Sequence, residues 1–206
     1  KFAFELSKIQ ERGFIKTHRF GPTGIGKTLE DELGIAENCI ASPDLGTVEL
    51  KAARKGSGSM LTLATKSPDI RGANTFLRER YGYKTEESLA LNPNLYILHS
   101  TVNGISFNTL NGQPYNKLTF RDARVYLEHA ADGIIEQVYW SEKTLTDAFK
   151  RKYPFEKLYY VKADVQTIDG EEAFHYVEAY YLEHFSPEKM MQSIRQGMKR
   201  FVKCFF

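Results

Sequence analysis

The stretch Pro43-Asp44-Leu45-Gly46-Thr47-Val48-Glu49-Leu50-Lys51 limits the fold of this chain more than any other. Alternation predicts a strand over Thr47–Ala53, with Val48 and Leu50 on one face and Glu49 and Lys51 on the other. The apolar pair is expected against a core, with the carboxylate and the ammonium side by side on the open face. Gly46 permits a bend that carries Asp44 back toward Glu49. Two carboxylates sharing one site repel unless a cation lies between them. Carboxylate oxygens, water and a substrate phosphate together suit Mg²⁺, and Lys51 would then hold an attacking water. A metal-dependent phosphodiesterase needs such a set. The same residues also fit a solvated Glu-x-Lys ladder, and spacing alone leaves both readings open.

A chain of 206 residues has room for one domain of two lobes. Its formal charge of +2 says little about partners, but the charges are unevenly placed. Thr28–Glu49 holds six acids and no Lys or Arg, while Lys51–Lys84 holds eight bases and two acids. An acidic centre beside a basic apron suits a metal site next to a polyanion, if the charges converge; otherwise they decorate solvent faces. Cys39 and Cys204 lack metal-ligand spacing and read as free thiols in a reducing cytoplasm. No apolar run approaches membrane-spanning length, so no membrane segment is expected. The first residue is Lys, which allows a start inside a longer gene product.

Helices are expected over Phe2–Glu11, Thr28–Leu33, Asn74–Tyr81 with Asn74 as cap, Ser141 to about Lys150, and Ser186 to about Gly197. Strands are expected over Met60–Thr65 (antiparallel to the central strand), Leu95–Val102, Ile105–Leu110, Lys117–Phe120, Ala123–His129, Ile134–Tyr139 and Phe201–Phe206. Leu158–Ile168 and Ala173–Glu183 should form a long hairpin turned at Asp169-Gly170, and Asn111-Gly112 and Asp132-Gly133 also read as hairpin turns. The tyrosines of the long hairpin read most simply as packing, with base stacking as the alternative. Glu30, in the first turn of its helix, is a candidate third acid, or else a partner of the helix dipole.

Gly21-Pro22-Thr23-Gly24-Ile25-Gly26-Lys27-Thr28 matches the phosphate-loop pattern of nucleotide-binding NTPases. That loop works only after a buried parallel strand, and Ile15–Phe20 is too polar for one. Glu30, Asp31 and Glu32 would also repel a triphosphate. The glycines are expected instead to bring the backbone close to a phosphate, with Lys27 as a point-charge contact.

The run Gly21–Leu33, together with Pro43-Asp44, Glu49-Leu50-Lys51, Met60-Leu61-Thr62-Leu63, Thr65-Lys66-Ser67-Pro68 and Arg71-Gly72-Ala73-Asn74-Thr75, resembles the MvaI/BcnI family of type II restriction endonucleases. Val138-Tyr139-Trp140-Ser141 fits the same family more loosely. The resemblance implies an α/β (α+β) fold of the MutH-like, PD-(D/E)XK nuclease kind, with a mixed β-sheet core flanked by helices and a second, β-rich recognition lobe. The catalytic lobe would span roughly 1–90 plus C-terminal elements, and the recognition lobe roughly 91–135 and beyond. It implies a monomer that hydrolyses double-stranded DNA at a short C/G-rich near-palindrome with Mg²⁺ or Mn²⁺, alongside a cognate DNA methyltransferase. By this match Asp44 and Glu49 are metal ligands, Lys51 is the catalytic lysine and Glu30 is an extra acid near the metal. Arg54, Lys55, Lys66, Arg71, Arg78 and Arg80 are candidates for backbone neutralisation. Family members carry a His- and Arg-bearing base-reading segment beyond the position of Phe206, which leaves the base-reading residues of this chain open. A catalytically silent or nicking DNA-binding relative is the alternative reading.

Overall fold

The computed structural model describes residues 1–36, 44–58, 62–197 and, for the backbone, 203–204. In chain order it runs α1 (Phe2–Glu11), β1 (Ile15–Lys16), α2 (Gly24–Glu32) and β2 (Glu49–Arg54). There follow α3 (Ala73–Tyr81), α4 (Glu86–Leu91), β3 (Ser100–Thr101), β4 (Thr109–Leu110), β5 (Gln113–Pro114), β6 (Asn116–Arg121), β7 (Arg124–His129) and β8 (Gly133–Ser141). The chain closes with α5 (Glu142–Lys152), β9 (Lys157–Ile168), β10 (Glu171–Glu183), α6 (Pro187–Arg195) and β11 (Lys203–Cys204). The expected mixed α+β architecture is thus present. No helix among the described residues is long and apolar enough to cross a membrane.

The chain divides into two compact units, Lys1–Leu61 with Lys150–Ser186, and Thr62–Phe149 with Pro187–Phe206. The first is built on a mixed sheet of order β1-β10-β9-β2. β9 and β10 form the expected antiparallel hairpin, turned at Asp169 and Gly170, both at positive φ. β2 runs parallel to β9, with Glu49 beside Leu158 and Lys51 beside Tyr160. Leu6, Ile9, Ile25 and Leu29 from the two helices pack with Leu50, Val161, Ala163, Phe174 and Tyr176 from the sheet. Spacing explains the helical share: Phe2, Leu6 and Ile9 recur on one stripe of α1. Full burial of Leu29 contributes roughly 1.5–3 kcal/mol.

The second unit is centred on the sheet β6-β7-β8, whose Leu118, Val125, Leu127, Val138 and Trp140 pack with Leu77 and Met191. α4 had no counterpart among the expected elements. Its start is a capping box in which Thr85 and Ser88 exchange side-chain-to-backbone hydrogen bonds.

Several sequence expectations are corrected. α2 begins at Gly24, not Thr28. A Cβ at Gly24 would lie 2.3 Å from the Arg19 carbonyl oxygen and 2.5 Å from Thr17 Oγ1, so this glycine permits close packing against its own chain. α3 is capped by Gly72 and begins at Ala73, so Asn74 is inside the helix. Residues 62–65 form no strand, and the neighbour of β2 is β9. The expected strands over 95–102 and 105–110 shrink to Ser100–Thr101 and Thr109–Leu110. There Asn103 Oδ1 accepts from the amides of Ile105 and Ser106, and Asn108 bonds the Thr101 carbonyl and the Asn116 amide. Asparagine side chains thus do the work of a ladder. Pro43, Cys39, Met60 and most of the expected strand over 201–206 lie outside the described residues; Lys203–Cys204 pairs with Ser100–Thr101.

Candidate active site

β2 carries Glu49 and Lys51 on the face opposite Leu50. That face is not open at Glu49: its side chain is fully buried, which corrects the expected solvent-facing carboxylate. Lys51 Nζ lies 2.7 Å from Glu49 Oε1, and Lys152 Nζ, from the end of α5, lies 2.8 Å from the same oxygen. Neither pair is aligned as a hydrogen bond, and Oε2 has no hydrogen-bond partner among the described residues. Burying a carboxylate is tolerable only with cations beside it, and two ammonium groups meet that demand.

Asp44 is brought to the same place by the turn expected at Gly46, which sits at φ +74°. The Leu45 amide donates to the Val48 carbonyl at 3.0 Å, and the Leu50 amide donates to Asp44 Oδ2 at 3.0 Å. Tyr153 is 2% exposed and packs edge-on against Phe185 at 5.0 Å. Burial first, then the charges of Glu49 and Asp44, hold its phenol above the usual tyrosine range. Both carboxylates therefore act on one buried ring. Pro154 follows it and stops α5 from continuing.

These residues fit a hard divalent cation. Among the described residues Glu49 offers a buried oxygen with no hydrogen-bond donor, and Asp44 accepts from the Leu50 amide through Oδ2. Both are oxygen donors of the type Mg²⁺ or Mn²⁺ takes, with remaining positions left to water and phosphate. Among the described residues no three His, Cys, Asp or Glu side chains converge on one point.

Asp44 is bonded to the Leu50 amide, Lys51 Nζ lies at Glu49 Oε1, and Lys152 reaches the same oxygen without having been singled out in the sequence. Its only signal was the run Lys150-Arg151-Lys152, which reads as basic residues complementing the C-terminal end of a helix. Glu30 lies on α2, which packs on β2, and its charge adds to that of Glu32 in raising the buried Tyr176 phenol, after burial itself. Lys27 turns its ammonium onto Asp31 at 2.7 Å. Thr28 is fully buried, its hydroxyl accepting from the His18 amide, and β1 before it pairs antiparallel with β10. The context a phosphate loop needs is absent there.

The basic candidates divide by pairing. Arg54 donates to both oxygens of Glu172 at 3.0 and 2.6 Å, Lys55 meets Glu178 at 2.9 Å, and Arg80 meets Asp132 at 3.6 Å. Lys66, Arg71 and Arg78 have no acidic partner among the described residues. Of the hairpin tyrosines, Tyr159 stacks on Phe2 at 3.9 Å and Tyr176 donates to the Ile25 carbonyl, both packing roles.

The family model of the MvaI/BcnI restriction endonuclease family matches residues 4–199. A solved complex of the restriction endonuclease MvaI with its cognate DNA substrate is 30% identical, with a TM-score of 0.81 over 95% of this chain and 79% of that one. MvaI in the absence of DNA is 31% identical, with a TM-score of 0.50 over 94% of this chain and 77% of that one. Comparison with curated protein sequences gave no match.

Proposed function

This chain belongs to the MvaI/BcnI restriction endonuclease family, and from that premise we propose that it is a Mg²⁺-dependent deoxyribonuclease cutting double-stranded DNA at a short C/G-rich near-palindrome. The observation that carries the reading is the cluster of Asp44, Glu49 and Lys51 on one bend and strand, with a Glu49 oxygen left over. Asp44 and Glu49 would hold Mg²⁺ or Mn²⁺, which when bound supplies Lewis-acid stabilisation of charge on phosphate oxygens. Lys51 orients the attacking water and favours its deprotonation. The water oxygen bonds to phosphorus as the bond to the 3′ oxygen breaks, leaving a 5′ phosphate, and the water's proton ends on the 3′ hydroxyl. Glu30 is kept as an additional acid of this site.

The catalytic role falls to the first unit and DNA recognition to the β-rich second unit. Lys66, Arg71 and Arg78, which have no acidic partner among the described residues, are the foremost backbone contacts; Lys27, Arg54, Lys55 and Arg80 would first have to leave their carboxylates. The enzyme acts as a monomer in the cytoplasm, beside a methyltransferase that protects the host's own sites. Digestion of plasmid DNA with Mg²⁺ and run-off sequencing of the ends tests this. Discrete ends at one short motif support it. Intact plasmid that is nonetheless bound would favour the catalytically silent relative.

A further inference from the structure

Lys152 reaches the site from the end of α5, outside the central strand and its preceding turn. Its Nζ shares Glu49 Oε1 with Lys51 Nζ, at 2.8 and 2.7 Å. The placement is built: Lys152 ends α5, the next residue Tyr153 is 2% exposed against Phe185, and Pro154 fixes the exit of the chain. The Lys152 side chain is 30% exposed.

Resting on the nuclease reading above, we infer that Lys152 is a positioning residue of this site. Its ammonium sits on Glu49 Oε1 and leaves Oε2 to a divalent cation, and it balances the charge of the loaded site against the reacting phosphate. The charges make the case. Asp44 and Glu49 are offset by Lys51 and Lys152, which leaves the metal-free cluster neutral. A divalent ion then adds two positive charges, and the phosphodiester, singly negative at rest, approaches two negative charges as water adds. With Lys152 present, the loaded site and the transition state match; without it the site falls one charge short at the moment of reaction. A group that matters more in the transition state than in the ground state is seen in kcat rather than in binding.

The same ammonium repels a metal at Glu49, so removing it has opposite effects on two readouts. In Lys152→Met, which keeps the packed stem, Mn²⁺ titrated without DNA and followed by the EPR signal of the free ion should bind roughly tenfold more tightly. Single-turnover cleavage of an oligonucleotide duplex should slow by roughly a hundredfold, with DNA binding in Ca²⁺ unchanged. Lys152→Arg should return both values most of the way. A merely structural role would weaken metal binding and cleavage together. Unchanged or weaker Mn²⁺ binding by folded Lys152→Met, or an unchanged cleavage rate, overturns the inference. Should the wild-type chain bind Mn²⁺ yet cut no DNA, the nuclease reading fails, and the Mn²⁺ titration still decides whether Lys152 acts on Glu49.

Discussion

Asp44 Oδ2 accepts a hydrogen bond from the Leu50 amide at 3.0 Å, so the first acid of the site is tied to the backbone between the second acid and the lysine. This bond ties the turn to the strand. An Asn carbonyl oxygen can accept the same bond but carries no charge. Asp44→Asn should therefore unfold in urea within about 1 kcal/mol of the wild type, while its Mg²⁺-dependent plasmid cleavage falls by at least a hundredfold. Loss of activity accompanied by a large loss of stability would mean that Asp44 serves the turn alone.

Asp69 holds the loop that carries Lys66 and Arg71. Its Oδ2 accepts from the Ser141 amide at 3.2 Å, from Ser141 Oγ at 2.6 Å and from Thr144 Oγ1 at 3.1 Å, at the start of α5. Trp140 Nε1 donates to the Lys66 carbonyl at 2.9 Å and fixes the other end. Asp69→Ala should cost about 1–2 kcal/mol in urea unfolding, the usual range for a lost helix cap. Lys66→Ala and Arg71→Ala should leave stability alone. Each should lower the salt dependence of Ca²⁺-supported DNA binding by about one unit of log–log slope. Slopes equal to the wild type in both variants would remove this loop from the DNA contacts.

Much of this framework was legible in the chain, and the exceptions share a cause. Alternation and Asp169-Gly170 gave the β9–β10 hairpin, because both signals are local. The parallel pairing of β2 with β9 is not local, since parallel strands are joined by long crossovers and no turn marks the partner. Alternation likewise put Glu49 and Lys51 on one face without saying what covers it. Lys152, from beyond the β-rich middle, meets Glu49 there beside the buried Tyr153, and the carboxylate is fully buried. The apolar stretch 95–110 read as strands, yet asparagine side chains take up much of its backbone hydrogen bonding.

Burial pushes the Tyr115 phenol up to about 12, above its ordinary 10.0, and its hydroxyl donates to the Tyr81 carbonyl. A folded-state value above the unfolded one stabilises the fold fully below pH 10, and this contribution fades as pH rises through 12. The loss amounts to about 2–3 kcal/mol for two pH units. Urea midpoints taken from pH 9 to 12 should fall in the wild type and fall less steeply in Tyr115→Phe. Equal slopes would mean that Tyr115 ionises as freely in the folded chain as in the unfolded one.

The most direct measurement of the central claim compares the wild type with Lys51→Ala on supercoiled plasmid in Mg²⁺, with duplex binding followed in Ca²⁺. The wild type should give discrete fragments. The variant should bind with similar affinity and leave the plasmid uncut. Fragments produced by Lys51→Ala at the wild-type rate would contradict the assignment of Glu49, Asp44 and Lys51 as the centre that breaks the DNA strand.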